Sequence, residues 1–80
     1  MDETEQSIVR KLQAHVTFAP ASYHKRFIRD LIPEKSQLSD KGRNYLAYIA
    51  HRYRRQWMPS DPEFEWVVRW NAYQRVKQPI

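Results

Sequence analysis

The sequence predicts an all-α domain, and three observations support this fold class. A single glycine and five prolines divide the 80 residues at points where helices would stop or start. Between these points apolar residues recur at helical spacing, and no alternation long enough for a strand competes with that pattern. The connections are short, which suits antiparallel packing of neighbouring helices. We therefore expect residues 1–80 to form one domain, a compact three- or four-helix bundle.

The first two helices are expected over residues 3–16 and 20–32. One side of the first helix collects the apolar residues Ile8, Val9, Leu12 and Val16. Pro20 would occupy the first turn of the second helix, and Pro33 would end it. The apolar side of this second helix would contain Tyr23, Phe27, Ile28 and Leu31.

The third helix is expected over residues 40–57, from an N-cap at Ser39 to a stop at Pro59. At 100° per residue its side chains separate into two arcs. The apolar arc contains Gly42, Tyr45, Leu46, Ile49, Ala50, Tyr53 and Trp57. The other arc and its flanks contain Lys41, Arg43, Asn44, Tyr48, His51, Arg52, Arg54 and Arg55. The aromatic residues of the segment HRYRRQW are thus predicted to face the core, and its arginines to face outward.

The fourth helix is expected over residues 61–76. Ser60 and Glu63 have the spacing of a capping box, and Pro62 fits an early helical position. One apolar side would contain Phe64, Val67, Val68, Asn71 and Ala72. On nearly the opposite side lie Trp66, Trp70 and Tyr73, beside Arg69 and Lys77. Either this aromatic side packs under the first helix, or it is exposed and docks a partner.

The positive charge is concentrated in the middle of the chain. The whole sequence has a formal net charge of +5. Between Arg10 and Trp57, eleven Lys and Arg residues face only three acids, Asp30, Glu34 and Asp40. Arginine outnumbers lysine nine to five in the full sequence, and planar guanidinium groups bind phosphate oxygens through paired hydrogen bonds. This balance favours an anionic partner, although a charged arc can also be a solvated helix face.

Two functional hypotheses follow. The first is a small protein that binds DNA or RNA through the phosphate backbone, with Tyr48 stacking on a base or sugar. Its candidate binding residues are Lys25, Arg26, Arg29, Lys41, Arg43, Tyr48, Arg52, Arg54 and Arg55. The alternative is a protein-interaction module, an adaptor, inhibitor or accessory subunit that docks a larger partner with an acidic surface. Its candidate contacts are Trp66, Arg69, Trp70 and Tyr73.

Enzymatic chemistry is not indicated by the residue pattern. The three histidines come without cysteine or a metal-binding spacing, and no glycine-rich loop is available to hold phosphates. We therefore expect no enzymatic activity, no metal and no cofactor. No apolar run approaches the length of a membrane span, which favours a cytoplasmic protein.

A resemblance covers about residues 23–56. The residues Leu38-Ser39-Asp40-Lys41, then Leu46 and Ile49, then Arg52-Tyr53-Arg54-Arg55-Gln56, with Phe27-Ile28-Arg29-Asp30-Leu31 upstream, form the matching pattern. This pattern resembles small uncharacterised basic helical proteins of bacterial phages and other mobile elements. The resemblance implies a bacterial or phage setting and carries no known activity.

Overall fold

The computed structural model describes residues 1–71, which form five helices and contain no β-strand. The helices are α1 (Glu3–His15), α2 (Tyr23–Asp30), α3 (Asp40–Arg52), α4 (Arg54–Trp57) and α5 (Asp61–Trp70). The all-α prediction is confirmed. The last part of the predicted fourth helix, with Ala72 and Tyr73, lies outside the described residues, and so does Lys77.

Side-chain caps define where α1, α3 and α5 begin. Asp2 accepts a hydrogen bond from the Glu5 amide at 2.8 Å, and Ser39 accepts one from the Gly42 amide at 3.1 Å. At α5, the Glu63 carboxylate accepts the backbone N–H of Ser60 at 2.8 Å. Each cap satisfies amide groups that the first turn of a helix cannot pair internally. The predicted starts of the third and fourth helices are confirmed.

Helix α2 is shorter at both ends than the predicted range 20–32. Ala21 has a φ of 62°, a left-handed conformation that cannot continue a right-handed helix. Ser22 follows as the N-cap and accepts the Lys25 amide at 3.1 Å, so the helix begins after Pro20 rather than with it. It ends at Asp30, because Leu31 takes an extended backbone with φ −77° and ψ 132°, two residues before Pro33.

The predicted helix 40–57 is broken at Tyr53, which separates α3 from α4. Tyr53 has φ −105° and ψ 19°, outside the helical range, and the break releases carbonyl groups at the end of α3. Two side chains satisfy these carbonyls. The Trp57 indole donates to the Ala50 carbonyl at 2.8 Å, and the Arg54 guanidinium donates to the His51 carbonyl at 2.9 Å. The side chain of Trp57 therefore folds back into the core as predicted, but from a separate turn.

Helix α1 packs against α2, α4 and α5, and α3 forms the largest helix–helix contact with α5. The buried apolar residues form one cluster that all five helices share. It consists of Ile8, Val9, Leu12, Ile28, Leu46, Ala47, Ile49, Ala50, Trp57, Trp66 and Val67. The predicted apolar sides of the first and third helices supply most of this core.

Helix α5 has a different buried side from either predicted face. Val67 and Trp66 are both buried, whereas Phe64 and Val68 are 39% and 50% exposed. The indole of Trp66 donates to the Glu5 carboxylate of α1 at 3.2 Å. Packing of Trp66 under the first helix was one of the two predicted alternatives, and this contact agrees with it.

Two glutamates are buried, and each occupies the third position of a helix. Glu5 of α1 accepts hydrogen bonds from the Arg43 guanidinium of α3 at 2.7 Å and from Trp66 of α5. Glu63 of α5 accepts hydrogen bonds from the Ser7 hydroxyl and from the Lys11 ammonium group at 2.8 Å, both on α1. A buried carboxylate needs such partners, because its charge has lost most of its hydration.

The ionisation of Glu63 reflects these contacts. Burial raises the pKa of the Glu63 carboxyl, but the hydrogen bonds from Lys11, Ser7 and Ser60 outweigh burial and bring the pKa to about 2, from an ordinary value of 4.5. Since the folded pKa lies below the unfolded one, this carboxylate stabilises the fold at neutral pH. The stabilisation is lost as pH falls from 4.5 towards 2.

Replacing Glu63 with glutamine should therefore lower the free energy of unfolding by about 3 kcal/mol at pH 7, because Lys11 loses its buried partner. Urea unfolding followed by circular dichroism measures the difference from wild type, which should narrow progressively below pH 4.5. Glu65→Gln, on the exposed side of the same helix, is the matched control and should change stability by less than about 0.5 kcal/mol. If the difference in unfolding free energy between Glu63→Gln and wild type does not change with pH, the lowered pKa of Glu63 is not what stabilises the fold.

Candidate nucleic-acid interface

An aromatic layer joins α2 to α3 on one side of the molecule. Phe27 meets Tyr45 edge-on, with ring centroids 4.8 Å apart, and Tyr23 lies 5.7 Å from the same Tyr45 ring. Tyr45 and Tyr48, one turn apart on α3, stack at 6.4 Å with an interplanar angle of 16°. These contacts place a continuous set of rings along α3, with Tyr23 at its outer edge.

His24 lies inside this layer. Its ring contacts Tyr45, Tyr48 and Tyr53 edge-on, with centroid distances of 5.8, 5.8 and 6.1 Å. Burial lowers the pKa of His24, and the nearby positive charge of Arg52 lowers it further. His24 is therefore neutral at pH 7, and the positive charge of this side comes from lysine and arginine alone.

Cations border the aromatic layer. Lys41, Tyr45, Tyr48 and Arg52 follow one another at intervals of four, three and four residues, so they share one side of α3. The two cations at its ends are separated by about 16 Å along the helix. Arg26 lies one turn after Tyr23 on α2. We call this surface the α2–α3 face, formed by Tyr23, Arg26, Lys41, Tyr45, Tyr48 and Arg52.

The cations of this face have no acidic partner among residues 1–71. The described cations that form no ion pair there are Lys25, Arg26, Lys35, Lys41, Arg52, Arg54, Arg55 and Arg69. By contrast, Asp30, Glu34 and Asp40 are all paired, with Arg29, Arg10 and Arg43 respectively. Positive charge on the α2–α3 face is therefore not neutralised locally, and it remains available to an external anion.

Arg43 does not occupy the outward position that the helical pattern predicted. Its guanidinium binds buried Glu5 at 2.7 Å and Asp40 at 3.3 Å, and it lies over the Trp70 ring at 5.4 Å from the centroid. The hydrogen bond from Arg43 to Glu5 raises the pKa of the guanidinium. These contacts assign Arg43 to the interior ion-pair network, because moving it to a phosphate would leave Glu5 buried without its cation.

The break at Tyr53 also separates the three arginines that the pattern placed on one arc. Arg54 caps the end of α3 through the His51 carbonyl, on the side where His51 stacks on Phe64 of α5. Arg52 remains on the α2–α3 face, with its guanidinium 6.0 Å from the centre of the Tyr53 ring. Arg55 is exposed. The fold therefore does not bring these three arginines together on one binding surface.

Lys25 and Arg29 lie on another side of α2. They line a groove of about 670 Å³ between α2, the end of α1 and the segment 31–33, with Ile28 at its floor. Arg29 also pairs with Asp30 at 3.3 Å. Of the three cations predicted on α2, Arg26 is the one assigned here to the α2–α3 face.

The structure exchanges the positions expected for two tyrosines. Tyr23 was predicted to be a core residue, but it is 68% exposed and forms the outer edge of the aromatic layer. Tyr48 was predicted to be an outward stacking residue, but it is half-buried and packs against the core cluster. The start of α2 explains the exposure of Tyr23, because this residue follows the N-cap directly and has no helical turn before it. Tyr48 is half-buried because the rings of His24 and Tyr45 lie against it.

The residues of the alternative partner-binding hypothesis are not equally accessible. Trp66 is buried, and Trp70 is half-buried against Trp66 and Arg43. Arg69 is exposed and forms no ion pair within residues 1–71. Tyr73 lies outside the described residues. The exposed apolar residues of α5 are instead Phe64 and Val68.

Residues 1–71 contain neither a cluster of metal ligands nor a helix that could cross a membrane. No group of three or more His, Asp or Glu residues is placed to hold a metal ion there. None of the described helices is both long enough and apolar enough to cross a membrane. Comparison with protein families, curated proteins and solved structures finds no match to this chain. The geometry of the α2–α3 face therefore carries the functional proposal.

The separation between interior and surface cations can be tested on two neighbouring residues of α3. Arg43→Gln should lower the free energy of unfolding by about 3 kcal/mol, because it leaves buried Glu5 without a cation. Lys41→Gln removes the same charge from the exposed side and should change stability by less than about 0.5 kcal/mol. Chemical denaturation measures the free energy of unfolding of both variants. If both substitutions change it equally, the structural role of Arg43 is excluded.

Proposed function

We infer that this protein binds nucleic acid through the phosphate backbone, using the α2–α3 face. The observation that carries this proposal is the position of Arg26, Lys41 and Arg52 around an aromatic layer, with no acidic partner among residues 1–71. Lysine and arginine supply most of the affinity for a polyanion, and adjacent aromatic rings add contacts to sugars and bases. Lys25 and Arg55 are also exposed, but Lys25 lies on another side of α2 and Arg55 lies beyond the break at Tyr53, so neither belongs to the α2–α3 face.

A non-enzymatic binding role fits this arrangement better than catalysis. His24 lies inside the aromatic layer against three tyrosine rings, and its Nδ1 faces the hydroxyl of partly buried Tyr53 at 3.4 Å. This arrangement packs the imidazole among rings instead of presenting it to a substrate. As part of the same proposal we assign the protein to the cytoplasm of a bacterium, in a phage or mobile-element setting. The bacterial or phage setting depends on the resemblance of residues 23–56, and the cytoplasmic location depends on the short apolar runs of the sequence.

Salt dependence tests the proposal. If about five phosphates are contacted, the logarithm of the association constant should fall with the logarithm of salt concentration with a slope near −4.5 for duplex DNA, or near −3.5 for a single strand. Replacing Lys41 and Arg52 together with glutamine should reduce the magnitude of this slope by about 1.5 to 2. Fluorescence anisotropy with a labelled oligonucleotide measures this slope between about 50 and about 300 mM salt.

The control is Lys35→Gln with Arg69→Gln, which removes the same net charge from exposed cations outside the α2–α3 face. If net charge alone attracts the nucleic acid, both double variants should flatten the slope equally, and that result would refute a defined binding face. Low salt favours phosphate contacts. If the wild-type protein does not bind the oligonucleotide at about 50 mM salt, the proposed function is refuted.

A second candidate function, docking of a larger protein, is favoured by a different observation. Phe64 and Val68 lie one turn apart on α5 and remain exposed, and Arg69 is the adjacent cation. An apolar pair beside a cation suits a partner whose apolar surface is bordered by acidic residues. In this form of the hypothesis the contacts move from Trp66 to the opposite side of α5.

The docking hypothesis predicts that a bound protein remains after nuclease treatment. A pull-down from bacterial lysate, treated with nuclease, should retain a protein with the wild-type chain and lose it with the double variant Phe64→Ser, Val68→Ser. The Lys41→Gln, Arg52→Gln variant serves as the control and should retain it. Retention by the α5 variant would contradict docking through this side.

A further inference from the structure

The α2–α3 face contains a recess beside Tyr23. A cavity of about 510 Å³ lies between the start of α3 and α2, within the size range of small-molecule sites. It is lined by Tyr23, Phe27, Ser39, Lys41, Gly42 and Tyr45. Three of these six residues are aromatic, and Tyr23 stands open to solvent at the rim. A planar aromatic ligand could stack there, because ring faces are available that the core does not cover.

Charge selects among the ligands that aromatic rings attract. A cage of rings alone would also suit an organic cation. Lys41, however, lines the same cavity, is exposed and forms no ion pair within residues 1–71, so it disfavours a cationic ligand. The adjacent acid, Asp40, is paired with Arg43 at 3.3 Å. The cavity therefore matches a planar group that carries a negative charge, which is the chemistry of a nucleotide.

The shape of the surroundings favours an unpaired base. In a duplex the ring faces of each base are covered by their neighbours, so a recess of this kind can receive only a base that has left the stack. Among residues 1–71, neither helix of the α2–α3 face projects from the domain to enter a duplex groove. Helix α3 is packed on α5 and contributes four buried residues to the core, and α2 is eight residues long. Single-stranded nucleic acid has unpaired bases and requires no helix to enter a groove, so it suits this surface better than a duplex does.

We propose that the cavity beside Tyr23 binds one unpaired base of a single-stranded nucleic acid, stacked on Tyr23, with Lys41 contacting its phosphate. This proposal rests on the nucleic-acid binding proposed above and specifies its substrate. Tyr45 forms the inner wall of the site, and Phe27 holds the Tyr45 ring edge-on at 4.8 Å. Arg52, further along the same side of α3, contacts the strand beyond the stacked base.

Binding of two labelled probes tests the proposal. One is a single-stranded oligothymidylate of about eight nucleotides, a length within the usual site sizes, and the other is a DNA hairpin duplex. The variant Tyr23→Ala should weaken binding of the single strand about tenfold or more, since stacking on one aromatic ring contributes that much per base. Tyr23→Phe keeps the ring and should retain wild-type affinity within about twofold. The duplex affinity should be the same for all three proteins.

Phe64→Ala is the matched control, because it removes an exposed ring outside the cavity and should leave single-strand binding unchanged. Thermal unfolding verifies that Tyr23→Ala remains folded, as expected for a side chain that is 68% exposed. If Tyr23→Ala binds the single strand as wild type does, or weakens both probes equally, the stacking site is refuted while phosphate binding stands. If the wild-type protein binds neither probe, the proposed function fails, and this inference fails with it.

Discussion

The fold depends on the requirement that two buried carboxylates keep their partners. Glu5 of α1 binds Arg43 and Trp66, on α3 and α5, and Glu63 of α5 binds Ser7 and Lys11 on α1. Each of α1 and α5 thus places the carboxylate of its own first turn against the other helix. Reversing or sliding either helix would leave a buried charge unpaired, which is among the largest single penalties in a protein interior. We interpret these contacts as fixing the antiparallel arrangement of α1 and α5.

The same requirement divides the cations of the chain into two groups. Lys11 and Arg43 neutralise buried carboxylates and belong to the fold. Arg26, Lys41 and Arg52 have no acidic partner among residues 1–71 and belong to the surface. Both groups count equally in the net charge of the chain. Only the surface group can bind an external anion without leaving a buried carboxylate unpaired and destabilising the protein. The positive charge that the sequence shows between residues 10 and 57 is thus larger than the positive charge that the α2–α3 face presents.

Local signals in the sequence were sufficient for the helix class, the caps at Ser39 and Ser60, and most of the core. They failed where a distant contact overrides the local pattern. At the break at Tyr53, the Trp57 indole donates to the Ala50 carbonyl, and helical periodicity contains no information about that bond. The burial of Glu5 depends on α3 and α5, although its spacing from Asp2 has the same capping-box form as Ser60 and Glu63. That spacing was a usable signal for the cap, but not for burial.

The distribution of aromatic residues links the size of the chain to its proposed function. A chain of 80 residues has room for only a small core, so these residues cannot cover eleven aromatic side chains completely. Two tryptophans, Trp57 and Trp66, fill that core and donate their indole N–H groups to buried acceptors. The tyrosines of α2 and α3 lie at its edge instead, because a phenol hydroxyl tolerates water while the ring still packs. The aromatic layer that stabilises the packing of α2 on α3 is therefore also the layer to which we assign the proposed recognition. Tyr23 lies at its exposed edge rather than in the core that its spacing predicted.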